Sequence, residues 1–190
     1  MNNACHPTAL SNGLLGRGVG NIETTIRVET AVTKMNLNHA VLFVTDVERA
    51  LDFYTNVLDF EVLSREPRMQ AVFLTAPGSD NHHDLGLFGG SAPKQPTRTA
   101  GLYHLAWEVE DVTDMLAFRD KLRDAQALSG QSHHGVTISL YGFDPDGNEF
   151  EIMWTLPRDA WGEYADKGVV MPLDLEAEVA RWSEAAASNT

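Results

Sequence analysis

Two histidines and one glutamate carry the strongest chemical signal in the sequence. His39 and His104 stand 65 positions apart, and each begins an alternating segment, "HAVLF" and "HLAWE". Glu151 lies inside a third alternating segment, "NEFEIMW", between Phe150 and Ile152. Two imidazoles and one carboxylate with open positions form the ligand set of non-haem Fe(II) oxygen chemistry. Zinc fits the same ligand types, but it usually binds a water for hydrolysis or polarisation.

The segments around the two histidines are copies of one unit. "NHAVLFVTDVERALDFYTNVLDF" (38–60) matches "YHLAWEVEDVTDMLAFRDKL" (103–122) at one constant offset, which indicates a duplication. The same offset pairs Glu151 with Gly86. Three of four equivalent positions therefore carry metal-ligating side chains, and the glycine leaves space for exogenous ligands. Because a duplicated unit brings equivalent positions together across a pseudo-twofold axis, we expect the two histidines to share a site.

Each copy predicts the same order of secondary structure, βαβββ. A strand leads to Asp46 or Asp111, which we expect to cap the following helix. Apolar residues then recur with helical spacing. The further strands are predicted at 61–66, 69–76 and 83–89 in the first copy, and near 132–135, at 136–143 and at 148–154 in the second. The sequence therefore predicts an α+β fold in which two paired βαβββ modules form one half-barrel.

The predicted domain spans residues 35–154, with modules at 36–90 and 101–154. A segment rich in proline and threonine, "SAPKQPTRTA", links the modules. Residues 1–34 lack strong periodicity and are interpreted as a tail, partly disordered or packed on the outside. Residues 155–190 form a C-terminal extension that ends in a short amphipathic helix.

Composition excludes several classes of function. The 190 residues carry a formal net charge of −13, which argues against nucleic-acid binding. The single cysteine, Cys5, permits no intramolecular disulfide, so a reducing, cytoplasmic location is expected. No apolar run approaches the roughly 20 residues that a membrane span requires.

Three further side chains are candidates for chemistry. His83 follows His82 at the start of the strand that carries Gly86, and strict alternation would put positions 83 and 86 on opposite faces. A bulge, or a location at the mouth of the strand, would be needed to bring His83 into the site. His134 and Tyr141 precede the Glu151 strand and would line its cavity. The alternatives are a solvated loop for the histidines and a core position for the tyrosine.

These motifs resemble the vicinal oxygen chelate superfamily. The resemblance rests on the paired modules, on "NHAVLFVTDVERALDFYTNVLDFEV", "YHLAWEVEDV" and "DPDGNEFEI", and covers residues 36–154. Within that superfamily the chain looks most like single-domain type I extradiol catechol 2,3-dioxygenases. The iron ligands of that group fall on His39, His104 and Glu151. The acid–base histidine of that group lies in a motif like "HHDLGL", where it matches His83. Two further active-site residues of the group match His134, in "HGV", and Tyr141, which precedes "DPDG".

The resemblance implies an Fe(II)-dependent ring-cleavage reaction, with Mn(II) as the alternative metal. The substrates would be a catechol-type aromatic diol and O₂. His83 would act as base and then acid, and Tyr141 and His134 would hydrogen-bond substrate oxygens. A homodimer or higher homo-oligomer is implied, without nucleic-acid or membrane partners.

Other members of the superfamily supply the alternative functions. Glyoxalase I and the methylmalonyl-CoA epimerase normally use four protein ligands, and Gly86 removes the fourth. Fosfomycin resistance enzymes also use two histidines and one glutamate, usually with Mn(II), but the His83–Tyr141 set fits them less well. Bleomycin resistance proteins bind small molecules without metal, and they usually lose the ligands that this chain retains.

Overall fold

A computed structural model describes residues 35–94 and 100–188 of the chain. The predicted tail at 1–34, with Cys5, and residues 95–99 of the linker lie outside the described residues. The elements of the first module are β1 (Ala40–Phe43), α1 (Val47–Asn56), β2 (Glu61–Glu66), β3 (Ala71–Thr75) and β4 (Leu85–Phe88). Those of the second module and the extension are β5 (His104–Glu108), α2 (Asp114–Asp124), β6 (Leu128–His133), β7 (Thr137–Phe143), β8 (Glu149–Thr155) and α3 (Leu175–Ser188).

The two modules have the same sheet topology, as the sequence repeat predicts. One sheet has the order β1-β4-β3-β2 and the other the order β5-β8-β7-β6. Val41 pairs with Gly86 in the first sheet, and Ala106 pairs with Glu151 in the second. Because both partners are shifted by the same 65 positions, Gly86 is the structural equivalent of Glu151. The two sheets do not close into one barrel, and the predicted α+β class is confirmed.

The two helices begin differently. Asp46 caps α1, since its carboxylate accepts hydrogen bonds from the backbone N–H groups of Glu48 and Arg49. The predicted cap at Asp111 is wrong, because α2 begins at Asp114 with Thr113 at the cap position. Backbone hydrogen bonds between residues three apart form the first turn of α2. The Asp111 carboxylate accepts hydrogen bonds from the backbone N–H and the hydroxyl of Thr113 in the turn before the helix.

The strand that precedes His134 also differs from the strand predicted from the sequence. The sequence predicted a short piece near 132–135, whereas β6 runs from Leu128 to His133. A register shift between Leu128 and Gly130 interrupts the alternation of side chains. Small and polar residues fill the rest of the strand, so its sequence pattern is weak.

One hydrophobic core joins the two modules. Apolar side chains from the inner faces of both sheets pack with those of α1 and α2, including Val44, Leu58, Leu74, Leu85, Leu87, Met115, Leu122, Ile138 and Leu140. Aromatic contacts cross between the modules, with ring centroids 5.8 Å apart for Phe53 and Phe150 and 5.1 Å apart for Phe60 and Trp107. The outer faces are left free to carry polar chemistry. Among the described residues, no helix is long and apolar enough to cross a membrane.

The C-terminal extension packs against the second module. Leu175 and Val179 of α3 are buried in the core, and Trp182 contacts Trp154 of β8 at 5.8 Å between ring centroids. Arg119 of α2, largely buried, forms an ion pair with Glu176. The predicted amphipathic helix therefore docks on its own domain.

Truncating Leu175 tests the structural role of α3. Because its side chain is fully buried, Leu175→Ala is expected to lower the free energy of unfolding by about 2–5 kcal/mol. Val170→Ala is the control, because Val170 is 78% exposed, and it should change stability by less than about 0.5 kcal/mol. Urea denaturation followed by circular dichroism measures both. Equal stability of the two variants would show that α3 contributes nothing to the fold.

Candidate metal centre

Two candidate ligands meet on the outer face of the second sheet. β5 and β8 are parallel neighbours, and they bring the imidazole of His104 to the carboxylate of Glu151, with Nε2 and Oε2 3.1 Å apart. Glu151 is only 7% exposed although it lies on the face away from the core. A carboxylate that has been largely removed from water needs a charged or hydrogen-bonding partner. The pair therefore has the chemical character of a ligand site rather than of a solvated strand face.

The geometry of this pair fits a divalent ion. Nitrogen and oxygen ligands about 2.1 Å from one ion, at right angles to each other, lie about 3.0 Å apart. The observed separation of 3.1 Å matches that requirement. Nδ1 of His104 is buried and has no hydrogen-bond partner among the described residues. The ring of His104 thus contacts Glu151 through Nε2 and packs against the rings of Tyr103 and Tyr141.

A chain of polar contacts continues from Glu151. Tyr141 lies directly opposite Glu151 across the β7–β8 ladder, and its hydroxyl donates to Oε1 at 3.2 Å. The same hydroxyl lies 2.8 Å from Nε2 of His134. Burial and the nearby Glu151 charge raise the pKa of Tyr141, so its hydroxyl stays protonated at neutral pH. The structure thus brings four predicted site residues together: His104, Glu151, Tyr141 and His134.

The C-terminal extension holds His134 in place. The Nδ1 of His134 donates to the backbone carbonyl of Val169 at 2.8 Å, because a carbonyl can only accept. The neutral ring then presents a lone pair on Nε2 towards Tyr141 and Ser132. A backbone bridge between His133 and Met171 fixes this part of the extension. Ser132 and the Val169 carbonyl were missed by sequence reasoning, and a backbone contact leaves no signal in residue type.

His39 belongs to a second cluster, on the outer face of the first sheet. It lies just before β1 and is exposed, and its Nδ1 is 3.0 Å from Oδ1 of Asn38. An amide oxygen only accepts, so Nδ1 carries the proton and Nε2 carries the lone pair. A hydrogen bond from the distal nitrogen is the usual support for a metal-ligating histidine. The hydrogen bond to Asn38 thus leaves Nε2 of His39 as the nitrogen that could accept a partner.

His83 lies beside His39, with 4.4 Å between ring centroids, and it also contacts Phe73 at 5.1 Å. It precedes β4 and stands at the mouth of that strand, so no bulge is needed. Partial burial, followed by the neighbouring His39 and His82, lowers the pKa of His83. Buried Asp84 accepts hydrogen bonds from three groups of the preceding loop and so fixes the segment that carries His83. Sequence reasoning missed this role of Asp84.

The two clusters remain separate within one chain. Among the residues that the structure describes, no three His, Cys, Asp or Glu side chains lie close enough together to hold a metal ion. The complete ligand set of His39, His104 and Glu151 therefore stays a prediction.

Comparison with known proteins shows the family to which the chain belongs. Residues 36–152 match the Glyoxalase/Bleomycin resistance protein/Dioxygenase superfamily, and the chain belongs to it. The chain is 33% identical over 137 residues to the catechol-2,3-dioxygenase of Bacillus subtilis, covering 72% of this chain and 47% of that protein. It is 35% identical over 120 residues to biphenyl-2,3-diol 1,2-dioxygenase 3 of Rhodococcus globerulus, covering 61% of each. The chain thus spans about half to three-fifths of the length of these relatives.

Other relatives have different activities. Lactoylglutathione lyase of Neisseria meningitidis is 29% identical over 125 residues, covering 63% of this chain and 90% of that protein. The solved structure of the fosfomycin resistance protein FosX of Listeria monocytogenes, with Mn(II) and sulfate, matches with a TM-score of 0.54 and 17% identity, covering 70% of this chain and 99% of that one. The structural likeness concerns the fold alone, so the reaction must be argued from the site.

Proposed function

We propose that the protein is an Fe(II)-dependent extradiol dioxygenase that cleaves a catechol-type aromatic diol with O₂. One observation carries the proposal: the convergent His104–Glu151 pair continues into the hydroxyl of Tyr141 and the imidazole of His134. A metal-ligand pair next to a protonated phenol and a second imidazole suits a substrate whose oxygens need hydrogen-bond donors. The relatives named as diol dioxygenases support this reaction class.

The metal would be held by His39, His104 and Glu151. Fe(II) bound there would supply positions for the diol and O₂ together and a path for electrons between them. Mn(II) is the alternative metal. The protein's own contribution would be a largely buried carboxylate and two imidazoles, and Nε2 of His104, which donates to Glu151 in this structure, would give up that proton to bind the ion.

His83 is the proposed acid–base group. Its lowered pKa keeps the imidazole neutral at neutral pH, so it can accept a proton from a diol hydroxyl. It can return that proton when the ring opens. Its location beside His39 puts it next to a ligand position, which is where a chelated diol would lie.

Tyr141 and His134 are the proposed partners of substrate oxygens. The raised pKa of Tyr141 preserves a hydrogen-bond donor at the site. The single proton of that hydroxyl can go to Oε1 of Glu151 or to Nε2 of His134, since both atoms lie within hydrogen-bond distance. The pair therefore keeps the Tyr141 hydroxyl aligned for a substrate oxygen.

Gly86 gives a direct test of the three-ligand arrangement. A side chain at Gly86 would meet Val41 and Phe73 at ordinary van der Waals distances of 3.4–3.6 Å, so the fold should tolerate one. Gly86→Glu is expected to add a fourth ligand, to tighten metal binding about tenfold or more and to suppress ring cleavage. Gly86→Gln is the neutral control of the same size. Metal titration and oxygen uptake measure both, and unchanged turnover in Gly86→Glu would contradict the placement of position 86 beside the metal.

The proposed reaction is tested by reconstituting the protein with Fe(II) without oxygen and then adding catechols in air. A yellow ring-opened product and oxygen uptake are expected from at least one mono- or bicyclic catechol. The absence of both signals across a broad panel of catechols would exclude the dioxygenase function. Turnover of an epoxide antibiotic with Mn(II), without catechol cleavage, would favour the fosfomycin type of activity instead.

A further inference from the structure

A segment of the C-terminal extension lies along β6, the last strand of its sheet. We call residues 164–173 the strap. Met171 of the strap exchanges two backbone hydrogen bonds with His133, at 3.0 and 2.9 Å. The backbone carbonyl of Leu173 accepts from Nε2 of Gln131 at 3.0 Å. The strap is therefore fixed to the part of β6 that comes just before the site histidine.

A close approach at Gly135 fixes the other end of the strap. The Tyr164 side chain packs directly on this glycine, because a Cβ added at Gly135 would lie 2.5 Å from Cγ and 2.7 Å from Cβ of Tyr164. Gly135 also has a φ of +82°, which residues with a side chain adopt only with strain. Two independent reasons therefore require a glycine directly after His134, and one of them is the contact with the strap.

The two anchors lie on either side of the strap carbonyl that meets the site. Tyr164 is five residues before Val169, and Met171 is two residues after it. The Val169 carbonyl accepts from Nδ1 of His134 at 2.8 Å, and the anchors contact the residues just before and just after this histidine. Because both ends are fixed, the carbonyl cannot move away from the ring unless one anchor breaks.

The strap decides what the other nitrogen of His134 can do. While Nδ1 of the neutral ring holds the proton, Nε2 has one lone pair and can only accept. Two hydroxyls face that lone pair, Tyr141 at 2.8 Å and Ser132 at 3.0 Å. One lone pair accepts one good hydrogen bond. Whenever Ser132 donates to Nε2, the proton of Tyr141 is therefore free to point elsewhere.

We propose that the strap is a positioning element of the active site, which makes Nε2 of His134 a fixed hydrogen-bond acceptor beside the Tyr141 donor. The pair then offers one acceptor and one donor side by side. Such a pair suits two neighbouring oxygens of which one still carries its proton. Ser132 keeps the acceptor paired until a substrate hydroxyl takes its place, so no buried polar group is left without a partner.

The consequence for the substrate rests on the proposed function, whereas the role of the strap in holding the ring does not. Val169 acts through its backbone, and Tyr164 and Gly135 act through the position of that backbone. These three are positioning residues, since none of them faces the ligand pair in any described contact.

Weakening the Val169 carbonyl alone tests the inference. The hydroxy-acid analogue of valine is incorporated at position 170, so that an ester replaces the amide and the carbonyl becomes a poorer acceptor. No side chain changes, and the lost N–H of Val170 forms no backbone hydrogen bond among the described residues. The matched control is an ester between Lys167 and Gly168, because neither the carbonyl nor the N–H of that amide forms such a bond in the described chain.

The position of the proton is read from the ¹⁵N chemical shifts of the His134 ring. The full chain is labelled with ¹⁵N-histidine, loaded with diamagnetic Zn(II), and measured at about pH 8.5, where an ordinary imidazole is neutral. The spectrum of His134→Gln identifies the signals among those of the seven histidines. The wild type and the control ester are expected to hold the proton on Nδ1. The ester at position 170 is expected to move it largely to Nε2, where the Tyr141 and Ser132 oxygens can accept it.

The anchor on Gly135 is tested with two variants of one residue. Tyr164→Ala removes the contact, whereas Tyr164→Phe keeps it, because Gly135 meets the Cβ and the near ring carbons of Tyr164. Tyr164→Ala is expected to move the His134 proton towards Nε2 and to lower kcat about tenfold, the scale of one hydrogen bond, with metal content unchanged. Tyr164→Phe should match the wild type in both measurements. A loss of thermal stability in Tyr164→Ala without any change of tautomer would reduce Tyr164 to a structural residue.

The outcomes separate this inference from the proposed reaction. A proton that stays on Nδ1 in the ester at position 170 would overturn the inference, and so would a wild-type ring with its proton on Nε2. A shifted proton in Tyr164→Ala with unchanged kcat would overturn the role of the strap in the reaction. A shifted proton in the ester, together with a wild-type protein that cleaves no catechol, would uphold the positioning of His134 and reject the proposed reaction.

Discussion

Replacing Glu151 by glutamine is expected to abolish metal binding and, with it, ring cleavage. The substitution keeps the size of the side chain and its hydrogen bond to Tyr141, but it removes the one carboxylate of the ligand set. The loss of affinity should far exceed the roughly 10–100-fold that follows from losing an outer hydrogen-bond partner of a metal ligand. Metal content after reconstitution with Fe(II), and oxygen uptake with a catechol, measure the two effects.

Glu149 supplies the matched control. It lies on the same strand and the same face as Glu151 but is more exposed to solvent. Glu149→Gln should keep the metal and most of the activity. If both variants lost metal to the same degree, a general effect of acidic charge would explain the result, and the assignment of Glu151 would fail.

Replacing His83 by alanine is expected to slow turnover by about 10²-fold or more while the metal content stays unchanged. The scale is that of a lost general acid–base group. The reason lies in position and pKa: the ring stands 4.4 Å from His39, and its lowered pKa keeps it neutral and able to accept a proton. Turnover with Fe(II), together with iron content, distinguishes this role from ligation.

The neighbouring residue His82 provides the control for this prediction. His82 is exposed and lies next to His83, with the two Nδ1 atoms 3.1 Å apart. His82→Ala should leave turnover near that of the wild type. Iron lost from His83→Ala would identify His83 as a ligand and would replace the proposed set, whereas full turnover in that variant would remove His83 from the mechanism.

The repeat made much of the fold predictable from sequence. A strand fixes the face of each side chain by strict alternation, so one constant offset was enough to pair Gly86 with Glu151, and the register confirms it. Asp46 was predicted correctly as a cap, and its carboxylate accepts from backbone N–H groups two and three residues along the chain. The prediction of a cap at Asp111 was wrong, because packing elsewhere in the fold decides whether a helix starts with an α-helical or a tighter turn.

The sequence predicted which residues belong to the candidate site but not how they are arranged in space. His104, Glu151, Tyr141 and His134 come together because neighbouring strands of one module carry them or lead to them. The location of His39 depends on how the two modules pack, through contacts such as that between Phe60 and Trp107. A sequence offset shows which positions are equivalent, but it does not show whether they meet within one chain or between two.

The most direct test of the central claim uses isotopically labelled O₂. The wild-type protein is loaded with Fe(II), given a catechol that it consumes, and exposed to ¹⁸O₂, and the product is analysed promptly by mass spectrometry. Ring cleavage by a dioxygenase predicts one labelled atom in the new carboxylate and a second in the new carbonyl group, before that group exchanges with water. A ring-opened product without label in its carboxylate, or a product with an intact ring, would contradict the proposed function.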